Sequence, residues 1–85
     1  MDQNEVVVLS LLRAQATLDR SDALLGAGKP WNAIMCLDNS EMEVRAAGLY
    51  ELVRELASCS NGCSCEDVAT VLGWFQEWID SAVIS

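Results

Sequence analysis

Cys59, Cys63 and Cys65 form a C-x3-C-x-C cluster, with Cys36 a distant fourth thiol. Four thiolates can hold zinc tetrahedrally or bind an iron–sulfur cluster, because deprotonated sulfur is a ligand that both accept. The spacing differs from the paired C-x2-C knuckles of common zinc sites, and Cys36 would have to fold back beside the others to complete a set. A thiol-redox role needs less geometry. Cys65 falls in the first turn predicted for the last helix, where the positive helix end favours thiolate, while Glu66 and Asp67 beside it oppose that shift. Without a functional role, Cys36 and Cys59 are small apolar packing residues, and the remaining thiols are incidental to a loop. A metal-binding or thiol-redox sensor on Cys36, Cys59, Cys63 and Cys65 therefore stands as an alternative, and no cofactor is expected.

Aromatic residues point to a different kind of chemistry. Trp31, Trp74 and Trp78 are three tryptophans in a chain with one Phe and one Tyr. Trp74 and Trp78 lie one turn apart on a predicted helix, and Val71 extends the same edge. Tryptophan is enriched where partner proteins bury their strongest contacts, which makes Val71, Trp74 and Trp78 the expected partner-binding residues. The plainer reading is that indoles fill space between helices; it suits Trp78, whereas Trp74 fits core and interface equally.

Catalytic chemistry finds little support. The chain has no histidine, which removes the commonest general base, the Ser-His and Cys-His pairs, and the imidazole ligands of catalytic zinc. The pairs Glu41/Glu43, Glu51/Glu55 and Glu66/Asp67 fall on predicted polar faces or at helix starts, where solvated charge and capping explain them. Gly26-Ala27-Gly28-Lys29-Pro30 resembles a phosphate loop only superficially. The Walker pattern requires Gly where Ala23 stands and Ser or Thr where Pro30 stands. No enzyme is expected.

The elements that position these residues are helices. Val7, Leu11, Ala14, Leu18 and Leu25 recur at helical spacing, with Ser21 interrupting the stripe, and predict a helix from about Asn4 to Leu25 that stops at Gly26 and Gly28. Pro30 suits a first-turn position, so residues 30–37 form either a short helix carrying Trp31, Ile34, Met35 and Leu37 or a loop with a turn. Ser40 followed by Glu43 reads as a capping box opening a helix from Glu41 to about Ser58. Its expected inner face is Met42, Ala46, Leu49, Val53 and Leu56. Glu41 and Arg45 should pair across one turn, and Gly48 is read as an interior glycine allowing close helix approach. Residues 58–64 read as a loop, and Ser64 caps a last helix whose core stripe is Val68, Leu72, Phe75, Ile79 and Ala82. The expected fold is all-α: one domain over residues 1–85, a small antiparallel bundle of three main helices with the extra 30–37 helix as an option.

Composition bounds the function. Eighty-five residues with 52% hydrophobic content leave apolar surface that a domain this small has difficulty burying, so a covering partner is expected. A net charge of −8 disfavours direct contact with nucleic acid or anionic membrane, and no Lys or Arg follows Arg54. The apolar run Val6–Leu12 is preceded by Asp2 and Glu5 and ended by Arg13, unlike a signal peptide and too short for a membrane span. The expected location is cytoplasmic, with reduced thiols. These features predict a small acidic protein-interaction module of adaptor, chaperone, antiactivator or inhibitor type, acting through an apolar helix face, with homo-oligomerisation open. An acidic nucleic-acid mimic is the remaining alternative. It is disfavoured because the acidic residues are scattered among Arg13, Arg20, Arg45 and Arg54.

Overall fold

Helix α1 spans Gln3–Gly26 and ends where Gly28 adopts a positive φ of 78°. There the Lys29 amide donates to the Leu24 carbonyl at 3.0 Å and the Gly28 amide to Leu25 at 3.0 Å, a Schellman closure that a residue with a Cβ resists. Pro30 then occupies the first turn of α2, Pro30–Cys36. The computed structural model describes residues 3–59 and 64–84, with side chains over 7–59 and 64–83.

The short-helix option for residues 30–37 is the one observed. From α2 the chain passes through a 3₁₀ turn, Leu37–Ser40, directly into α3, Glu41–Ala46. The single helix expected over 41–58 is instead two. Gly48 has φ 75°, the Leu49 amide donates to Val44 at 3.1 Å and the Gly48 amide to Arg45 at 3.0 Å. This second Schellman closure ends α3, with Val44 and Leu49 both buried beside it. Helix α4, Tyr50–Ala57, comes next in a new direction, and α5 spans Cys65–Ile84. Ser64 caps α5 as expected, its Oγ accepting from the Asp67 amide at 3.4 Å.

Among the described residues the chain is all-helical, without strands. Helices α1 and α5 form the long antiparallel pair, crossing at Gln15 and Gln76. The third member of the predicted bundle is replaced by the run α2–α3–α4. Helix α2 lies against α1, α4 and α5. The core gathers Ala14, Leu18, Ile34, Leu37, Val44, Val53, Val68, Leu72, Phe75 and Ile79. Trp31 closes its far end by donating from Nε1 to the Ala57 carbonyl at 2.8 Å.

The inner face of α3 also differs from expectation. Ser40, Glu43 and Val44 are buried, whereas Met42 and Ala46 are exposed. Because the helix breaks at Gly48, the stripe drawn through Met42, Ala46, Leu49 and Val53 loses its common axis. The face that packs begins with a serine and a glutamate.

Candidate functional site

The first turns of α1 are apolar on more sides than one packing contact can cover. Val7, Val8, Leu9 and Leu12 remain 47%, 54%, 53% and 63% exposed. On α5 the antiparallel neighbour Val83 is likewise exposed, and on α3 so is Met42. After Gly48 the chain turns away, and α4 packs on α2, α3 and α5. This end of α1 is therefore flanked by the end of α5 and by the short α3 alone among the described elements.

Two grooves result, one on each side of Leu11. The larger, of about 550 Å³, is lined by Val7, Val8, Leu11, Leu12, Gln15, Ile79, Ala82 and Val83. The smaller, of about 300 Å³, is lined by Val7, Ser10, Leu11, Met42, Glu43, Ala46, Trp78 and Ala82. Among the described residues the linings contain no Lys or Arg, and Glu43 is their one charged residue.

Polar side chains fix this end in place. Ser10 Oγ donates to Glu43 Oε1 at 2.7 Å, and Arg13 Nη2 donates to the Asn39 carbonyl at 2.6 Å. Deeper in, Ser40 Oγ donates to Thr17 Oγ1 at 2.8 Å. The capping box predicted for Ser40 and Glu43 does not form. The chain enters α3 from a 3₁₀ turn, and both side chains point inward, where they tie α3 to α1. On the other side, the Gln15 and Gln76 amides exchange hydrogen bonds at 3.1 and 3.0 Å, flanked by Asp19 and Asp80. Glu43 is only 6% exposed, and its Oε2 is buried without a partner among the described residues.

Of the residues singled out from sequence, Val71 and Trp74 border one shallow depression, while Trp78 faces the smaller groove. Val71 lies in the core at 3% exposure. Trp78 stacks on Phe75 with centroids 5.9 Å apart and an interplanar angle of 12°, and one edge reaches the smaller groove. Trp74 is 47% exposed and borders a shallow depression of about 200 Å³ with Leu52, Glu55, Leu56, Asp67, Thr70 and Val71. Cys36 is buried with Sγ 3.9 Å from the Thr17 carbonyl, and Cys59 and Cys65 are exposed. Cys63 lies outside the described residues. Among the described residues no three His, Cys, Asp or Glu side chains stand close enough to hold a metal.

Electrostatic shifts fall on the outer surface. The Arg45 guanidinium, hydrogen-bonded to Glu41 at 2.8 Å, lowers that carboxyl, and it also lies 3.7 Å from the centre of the Tyr50 ring. Partial burial, helped by nearby Asp19, raises Asp22.

From the sequence, Val7 and Met42 fall on inward-facing stripes, and Val8, Leu9, Leu12 and Val83 carry no binding expectation. The signal was present in the run Val6–Leu12, which is too wide for one buried stripe. Among the described residues no helix is long and apolar enough to cross a membrane. No protein-family model matches this chain, and no curated protein or solved structure matches it either.

Proposed function

We propose that this chain is an acidic protein-interaction module that docks a partner protein on the apolar end formed by α1, α3 and α5. One observation carries the reading: Val7, Val8, Leu9 and Leu12 stand about half exposed or more beside grooves whose lining is nearly all apolar. Contiguous apolar surface of this kind marks an interaction site when a polar framework holds it open. Here the framework is the Ser10–Glu43 tie on one side and the Gln15–Gln76 exchange on the other. No catalytic role is proposed, since the chain supplies no histidine and its shifted carboxylates sit on the outer surface.

A second docking face around Trp74 is favoured by its exposure next to exposed Leu52. Partner binding by wild-type chain, Leu12→Asp and Trp74→Asp separates the two. Loss with Leu12→Asp and retention with Trp74→Asp supports the α1/α3/α5 end; the opposite pattern moves docking to Trp74 and contradicts the proposal.

A further inference from the structure

Resting on the docking surface just proposed, we infer that the occupant of this end is an amphipathic helix of a partner protein that carries one Lys or Arg between its apolar anchors. That basic side chain pairs with Glu43. The smaller groove is otherwise lined by Val7, Ser10, Leu11, Met42, Ala46, Trp78 and Ala82. A carboxylate is costly to hold in such surroundings unless its oxygens are hydrogen-bonded. Ser10 satisfies Oε1, while Oε2 is buried and unpartnered among the described residues. The last torsion of a glutamate is soft, so a small rotation presents an oxygen to the groove.

Charge selects the partner's sign. Among the described residues neither groove has a cation in its lining, α5 contains no Lys or Arg, and exposed Asp80 flanks Gln76 at the rim. The whole chain carries −8. A second copy of this chain would bring the same uncompensated carboxylate to the contact, whereas a basic helix complements it. Two antiparallel helices bordering an apolar trough accept a third helix through side chains spaced at i, i+3, i+4 and i+7.

The test is selection of a random 16-residue peptide display library on the full 85-residue chain. Enriched peptides are expected to show apolar residues at helical spacing with Lys or Arg at one fixed register. Replacing that residue by norleucine should weaken binding to the wild-type chain by about thirtyfold or more, as for truncation of a buried charge pair. The same replacement should be nearly neutral on Glu43→Gln. The Lys-to-norleucine comparison on the unaltered chain reads the contact even if Glu43→Gln loses its helicity. Enriched peptides that compete for the groove, as shown by loss on Leu12→Asp, yet have no basic register would overturn this inference and leave the docking surface standing. Peptides indifferent to Leu12→Asp would overturn the docking surface as well. Self-association that buries Leu12 would replace the partner helix with a second copy and overturn the inference.

Discussion

Ser10 Oγ and Glu43 Oε1 are joined by a 2.7 Å hydrogen bond across 33 positions of sequence, tying the open end of α1 to α3. Only half of the carboxylate is used, because Oε2 is buried and unpaired among the described residues. Removing the serine therefore strands the whole group. Ser10→Ala is expected to destabilise the chain by about 1–3 kcal/mol. Adding Glu43→Met should restore stability to at least the wild-type level, because removing both partners also removes the buried carboxylate. Urea-denaturation midpoints of the two single variants and the double variant check this; a double variant less stable than Ser10→Ala would contradict it.

Gly48 and Gly73 should respond in opposite directions to alanine. Neither would bring a new Cβ within 4 Å of another atom, but only Gly48 has a positive φ, of 75°. Gly48→Ala is expected to cost about 1–2 kcal/mol. Gly73→Ala, inside α5, should stabilise by about 0.5–1 kcal/mol. Thermal melts of the pair provide the measurement.

Phe75 is fully buried at the centre of the core, while its neighbour Trp74 is 47% exposed. Phe75→Ala should cost about 3–5 kcal/mol, enough to unfold much of a domain this small. Trp74→Ala should cost well under half of that. In variants retaining one tryptophan, acrylamide should quench Trp74 more strongly than Trp31 or Trp78.

Asp22 and Glu41 should give opposite pH signatures. The Asp22 carboxyl is raised from its ordinary value of 3.8 by partial burial and by Asp19, so ionising it opposes folding at neutral pH. Asp22→Asn should therefore raise Tm at pH 7, and the gain should vanish as pH falls through the raised value toward 3.8. Glu41 is lowered from 4.5 by Arg45, so its contribution is present above 4.5 and is lost as pH falls through the lowered value. Glu41→Gln should lower Tm slightly at pH 7, less so in high salt, because an exposed pair is screened. Scans at pH 7 and pH 3 decide both.

The helical class was legible because period-3.6 stripes extend through α1 and α5, where Ala14, Leu18, Val68, Leu72, Phe75 and Ile79 are indeed buried. The cap at Ser64 and the Glu41–Arg45 pair were legible for the same local reason. Gly48 was not, because a glycine inside a helix and a glycine ending one differ only in φ, which is decided by the packing of Leu49 and the turns after it. That misreading propagated: a continuous helix places Met42 and Ala46 inward, whereas the broken one buries Ser40 and Glu43. Ser40 and Glu43 satisfied a local capping pattern, but partners on α1 took both side chains. The apolar end was legible in part: the run Val6–Leu12 is too wide for one buried stripe, but which of its residues stay exposed is decided by how α3 and α5 pack beside it.

Cover of the α1/α3/α5 end by a partner protein can be read in intact cells, with a photo-crosslinking residue placed singly at Leu12, Trp74 or Arg20. Irradiation is predicted to give one discrete adduct from position 12, with far weaker products from positions 74 and 20. No adduct from position 12, or equal adducts from all three, would contradict docking at this end.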